Sequence, residues 1–161
     1  MPIELRAAAG PDALFLTEML VAAAFWRPDG PSGSVEQVLS QPQLAHYVTG
    51  WPRPGDLGVI AIEHQDPVGA AWLRLLPADD PGYGFVDADT PELAIGVLAA
   101  QRGRGVGTRL LGTLIDAAHQ HRLPAISLSV ERNNPARHLY HRAGFRLVDQ
   151  TDDALTMLLR P

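Results

Sequence analysis

Residues 93–111 read Leu-Ala-Ile-Gly-Val-Leu-Ala-Ala-Gln-Arg-Gly-Arg-Gly-Val-Gly-Thr-Arg-Leu-Leu, an apolar strand running into an arginine and glycine loop that opens a helix. Glycines at 103, 105 and 107 let the backbone approach a ligand with no Cβ in the way, and the first N–H groups of the following helix have no partner within it. Such a helix start is an anion site, and phosphate is its natural guest. Arg102, Arg104 and Arg109 add donors in the fork geometry that suits phosphate oxygens. The chain has no lysine, which excludes the Gly-Lys-Ser/Thr phosphate loop of nucleoside triphosphatases. The Gly-x-Gly-x-x-Gly dinucleotide pattern is also missing, and the loop lies late in the chain rather than in a first βαβ unit. What fits is Arg102-x-x-Gly105-x-Gly107.

A second segment narrows the reading. Residues 129–145, Ser-Val-Glu-Arg-Asn-Asn-Pro-Ala-Arg-His-Leu-Tyr-His-Arg-Ala-Gly-Phe, give a strand end, a turn, a short helix carrying Leu139 and Tyr140, and then Gly144 and Phe145. Taken together, the two segments resemble the GNAT N-acetyltransferase superfamily. In that family an Arg/Gln-x-x-Gly-x-Gly/Ala loop holds the pyrophosphate of acetyl-CoA, and an Asn-x-x-Ala-x-x-Leu-Tyr-x-x-x-Gly-Phe segment follows later. Asn133, Ala136, Leu139, Tyr140, Gly144 and Phe145 match that segment in register. The resemblance is specific from Glu92 to Phe145 and weak before residue 57.

Composition is consistent with one domain over residues 1–161, long enough to bury a core and too short for two ordinary ones. An apolar fraction of 46% with 19% charged residues is globular, and no apolar run approaches the roughly 18 residues a membrane span needs. No membrane partner is expected. The N-terminus lacks a basic and an apolar signal region, and the absence of cysteine removes disulfide and thiolate chemistry, so a cytoplasmic location is the default. A net charge of −5 argues against a nucleic-acid surface. All 13 basic residues are arginine, from which no function is drawn.

The periodicities predict a short strand over Pro2–Ala8 and a helix over Pro11–Phe25. A Pro/Gly/Ser loop at 27–34 follows, then short helical pieces at Val35–Leu39 and Gln43–Val48 split at Pro42. Strands at Leu57–Glu63 and Val68–Leu76 read as an antiparallel hairpin across His64–Pro67, and an acidic loop covers Pro77–Thr90. A βαβ unit comes next: strand Glu92–Leu98, amphipathic helix Arg104–His121 and strand Ala125–Val130. A helix bounded by Asn134-Pro135 and Gly144, and a last hairpin of Phe145–Val148 with Ala154–Leu159, complete the chain. The expected fold is α/β (α+β), a mixed, mostly antiparallel, splayed sheet flanked by helices on both faces.

The resemblance implies specific roles. The loop residues Arg102, Gly103, Arg104, Gly105, Val106, Gly107 and Thr108 would bind acetyl-CoA as co-substrate. Ile95, Gly96 and Val97 would pair with its pantetheine where the central strand splays, and Asn133 would contact it from the second segment. Gly96 also has a plainer reading, the avoidance of a packing clash. The Val97 N–H would donate to the thioester oxygen. Tyr140 would act as the acid toward the leaving sulfur, its plainer reading being a helix-face tyrosine that packs only, and Glu92 as the base, although a glutamate beside Thr90-Pro91 is ordinarily an exposed loop-edge residue.

No metal is expected. His119 and His121 cannot share one helix face, and His138 and His141 lie on a short helix without acidic ligands at fitting spacing. His46, near Tyr47 and Trp51, stays as an alternate acceptor-side residue. Asp79, Asp80, Asp87, Asp89 and Glu92, with Asp149, Asp152 and Asp153 of the last hairpin turn, would favour a cationic amine if their loops border the acceptor mouth. Phe25, Trp26, Tyr47 and Trp51 would supply an apolar or aromatic wall, although aromatic residues near helix ends are more often core. The expected activity is acetyl transfer to a small-molecule amine or a peptide N-terminus, with homodimer formation left open. The alternatives are a non-catalytic acyl-CoA-binding or regulatory module, and an interaction domain of this fold without cofactor.

Overall fold

A computed structural model of the chain describes residues 2–161. Seven strands form one sheet in the order β1-β2-β3-β4-β5-β7-β6: β1 Glu4–Ala7, β2 Leu57–Glu63, β3 Asp66–Arg74, β4 Glu92–Val97, β5 Ile126–Glu131, β6 Arg146–Gln150 and β7 Ala154–Leu159. Every neighbouring pair is antiparallel except β4 with β5, which run parallel. Helices α1 Ala13–Ala24, α2 Val35–Leu39 and α3 Pro42–Ala45 precede β2, α4 Val106–Gln120 connects β4 to β5, and α5 Ala136–Ala143 connects β5 to β6.

Alternation along each strand sends side chains to two apolar layers. On one face α4 sets Leu110, Leu111, Leu114 and Ala118 against Ala71, Leu73, Leu93 and Leu128. On the other, Leu16, Met19 and Leu20 of α1 pack with Val38, Ile60, Ala70 and Trp72. Each fully buried leucine contributes about 1.5–3 kcal/mol from the area removed from water. Among the described residues no helix is long and apolar enough to cross a membrane.

The boundaries depart from the periodicities where backbone geometry intervenes. The first hairpin turns on His64 and Gln65 alone, both at positive φ of 53° and 70°, the geometry of a two-residue primed turn. That lets β3 begin at Asp66, and Pro67 is accommodated because the register shifts between Ala61 and Ile62. At its other end β3 stops at Arg74, two residues before the expected Leu76. Helix α4 starts at Val106 instead of Arg104, since Gly103 and Gly105 hold φ of 78° and 80°. The predicted helix at 43–48 closes one turn earlier, as α3 Pro42–Ala45.

Candidate active site

β4 and β5 are joined by a single register pair, Glu92 with Ser127, and by the Ser127 N–H donating to the Pro91 carbonyl at 3.0 Å. Beyond it the strands part. On its other edge β4 stays paired with β3 through Val97, and the Leu98 N–H donates to the Val68 carbonyl at 2.9 Å. Antiparallel pairing alternates hydrogen bonds from one residue to the next, so the N–H groups of Ile95 and Val97 point away from β3, into the gap that β5 has left.

The glycine loop stands at the open end of this gap. None of the N–H groups from Gly103 to Thr108 meets a backbone acceptor among the described residues. A Cβ built on Gly103 or Gly105 would find no protein atom within 4 Å, so these glycines serve the left-handed backbone and leave space above it. The three arginines divide. Arg102 has only a long 3.4 Å contact from Nε to the Val97 carbonyl, whereas Arg104 pairs with Glu63 at 2.8 Å and also meets the Gln101 amide oxygen. Arg109 donates to the Ile3 carbonyl at 2.6 Å. The guanidiniums of Arg104 and Arg109 are thus tied to the protein, and of the three donors expected for phosphate Arg102 is the one without a close partner among the described residues. Arg104 in turn holds the Glu63 carboxyl below its ordinary range.

Gly96 satisfies its plainer reading at the least: a Cβ there would lie 2.3 Å from the Met19 carbonyl oxygen, so α1 can cross β4 only over glycine. Glu92 is not an exposed loop-edge residue. It is 1% exposed, and its carboxylate accepts from the Tyr47 hydroxyl at 2.9 Å, the Gly82 N–H at 3.0 Å and the Gly84 N–H at 2.9 Å. Burial pushes its pKa up, and the three donors only partly offset that. The Tyr47 hydroxyl accepts from the Tyr83 N–H at 3.0 Å, so the 77–91 loop is fastened over Glu92. Its Gly84 lies directly on the backbone of Leu128 and Ser129.

Tyr140 is 8% exposed and stands edge-on to Phe145 with centroids 6.0 Å apart, and among the described residues none hydrogen-bonds its hydroxyl. Burial raises its pKa well above the ordinary phenol value, so it stays protonated. Asn133 is exposed in the turn before α5, while the neighbouring Asn134 Oδ1 accepts from the Ala136 N–H at 2.9 Å. A cleft of about 250 Å³ between α4 and α5, lined by Thr108, Gly112, Leu139 and Arg142, continues from the glycine loop.

On the α1 face, Tyr47 and Trp51 take the core alternative: both are buried and form no open aromatic wall. His46 is buried, with Nδ1 2.9 Å from Asp80 and Nε2 without a partner. Among the described residues no three His, Asp or Glu gather as ion ligands. Tyr47 as the support of Glu92 and Glu63 as the support of Arg104 were not foreseen; the partners lie 45 and 41 residues apart, with no local pattern to connect them.

Comparison with known proteins places the architecture. A sequence model of the acetyltransferase (GNAT) family matches residues 16–145. No curated protein sequence matches the chain. Among solved structures, the ribosomal-protein-alanine N-acetyltransferase from Brucella melitensis superposes with a TM-score of 0.71 at 22% identity, covering 98% of this chain and 99% of that one. YncA from Salmonella typhimurium, with its cofactor acetyl-CoA, gives 0.70 at 22% identity over 99% and 94%. The PaiA N-acetyltransferase from Thermoplasma acidophilum, in complex with coenzyme A, gives 0.69 at 18% identity over both chains in full, 100% and 100%. At these identities the likeness is one of fold.

Proposed function

The chain belongs to the GNAT acetyltransferase family, and on that premise we propose that it moves an acetyl group from acetyl-CoA to a primary amine by direct transfer. The observation that carries the reading is the parting of β4 from β5 beside a loop whose amides have no backbone acceptor. The N–H groups of Gly103 to Thr108, with the Arg102 guanidinium, take the pyrophosphate. The edge of β4 at Ile95, Gly96 and Val97, where the N–H groups of Ile95 and Val97 face the gap, takes the pantetheine as an added strand, and Asn133 closes on it from the turn before α5. Acetyl-CoA supplies a thioester already activated toward an amine.

The remaining residues handle charge and protons. The free amine attacks the thioester carbonyl, the carbon–sulfur bond breaks, and the thiolate leaves. The Val97 N–H steadies the oxygen that becomes negative, and the Tyr140 phenol returns a proton to the sulfur. Glu92 is the candidate for the proton the amine gives up, since burial raises its affinity for one. With three donors already on its oxygens, the proton reaches it through a water or when the 82–84 segment lifts.

That engaged carboxylate is the observation that favours the second reading, a non-catalytic acyl-CoA-binding module. Release of free thiol from acetyl-CoA on adding a panel of amines separates the two. Amine-dependent release supports transfer, whereas tight acetyl-CoA binding with no release from any amine supports the module.

A further inference from the structure

The gap between β4 and β5 is bridged on the α1 face. α1 crosses β4 with Met19 over Gly96, and the chain leaving its C-terminus reaches across to the last residue of β5, Glu131. There the Trp26 indole N–H donates to Glu131 Oε2, and Arg27 Nη2 stands 3.3 Å from the same oxygen. The Arg27 guanidinium also lies over the Trp26 ring, 4.7 Å from its centre. Glu131 shares its strand face with Ser127 and Ser129, the column that runs from beneath the Glu92 loop to the open end of the gap.

This cluster differs from the buried Arg74–Asp56 pair, whose side chains are 1% and 3% exposed and whose guanidinium also bonds two carbonyls. The side chains of Arg27 and Glu131 are 47% and 46% exposed, and exposed ion pairs of this kind are weak and exchangeable. The indole N–H edge holds the carboxylate while the indole face lies beside it, and a carboxylate next to an open indole face is a receptor for a cation. The Arg27 guanidinium, from the residue next to Trp26 in the chain, occupies that position in this structure.

Resting on the acetyl-transfer reading, we propose that Glu131 and Trp26 recognise a positively charged group that the acceptor carries in addition to its reacting amine, and that Arg27 is the resident cation the acceptor displaces. The substrate class is a small diamine. The reacting amine has to be neutral in the gap, and a charged partner group held at the end of β5 keeps the two nitrogens in separate environments.

Titration calorimetry of 1,4-diaminobutane and of butylamine into the full chain, with and without CoA, tests this on the wild type, Glu131→Gln and Arg27→Ala. Diamine affinity should fall severalfold in Glu131→Gln, the loss expected of one exposed ion pair with the Trp26 face left in place. It should rise severalfold in Arg27→Ala, while butylamine does not distinguish the three proteins. Equal diamine affinity in all three, or equal losses for both amines, would overturn the assignment. Failure of the acetyl-transfer reading shows itself separately, as no amine-dependent thiol release in any of the three.

Discussion

Glu92 on β4 faces Ser127 on β5, and this is the single pair at which the two parallel strands still meet. On the same edge of β4, Ile95 and Val97 lie past the junction, so the residue that closes the sheet also marks where backbone donors become free. The carboxylate at that junction is buried and holds the 77–91 loop through Gly82, Gly84 and Tyr47.

Replacing Glu92 by Gln should therefore destabilise the fold by about 1–3 kcal/mol, the cost of disturbing buried hydrogen bonds to a charged group. The pH dependence has a definite sign. A folded-state carboxyl pKa raised above its unfolded value makes the native state bind more protons, so the Glu92 contribution is largest below the ordinary carboxylate pKa and declines as pH rises through the window above it. Denaturant melts from pH 4 to 7 should show the gap between wild type and variant widening toward acid. A gap independent of pH would mean that Glu92 ionises normally.

Tyr140→Phe separates chemistry from packing, because the hydroxyl has no partner to lose among the described residues. Stability and acetyl-CoA affinity should stay near wild type while kcat falls by about 10² to 10⁴, the usual contribution of a positioned acid. Steady-state kinetics with chemistry rate-limiting checks this. Unchanged kcat would return Tyr140 to its place against Phe145.

The arginines of the loop should not be equivalent. Arg102→Ala removes the one guanidinium without a close protein partner and should weaken acetyl-CoA binding about tenfold, an effect that shrinks as salt is raised. Arg104→Ala removes a side chain already paired with Glu63 and should cost several times less. Calorimetry at two ionic strengths gives both numbers. Equal losses would show that Arg104 leaves Glu63 for the ligand.

The contrast between Arg102 and Arg104 illustrates what the sequence makes legible. The Arg102-x-x-Gly105-x-Gly107 spacing, the amphipathic stripe of α4 and the Leu139-Tyr140 segment are local signals, each written within a few turns of chain. They identify the loop and the central βαβ unit, and the family resemblance they carry implies the splayed sheet. The partners of Arg104 and Glu92 are set by contacts across 41 and 45 residues, and no periodicity reports those. Glu92 next to Thr90-Pro91 reads as a loop edge because nothing nearby says that a distant tyrosine and a folded-back loop will bury it. Trp26 with Glu131 is hidden for the same reason, a contact across 105 residues.

The central claim is that the glycine loop holds acetyl-CoA, and calorimetry on Gly105→Glu tests it most directly. A side chain at 105 meets no protein atom within 4 Å, so it enters the space assigned to the pyrophosphate and brings a negative charge there. The left-handed backbone at this position adds a strain of about 1–2 kcal/mol, which circular dichroism and thermal melting monitor. The account predicts a folded protein whose acetyl-CoA affinity has dropped at least a hundredfold, about 2.7 kcal/mol of binding. A folded Gly105→Glu protein that binds acetyl-CoA as tightly as the wild type would contradict it.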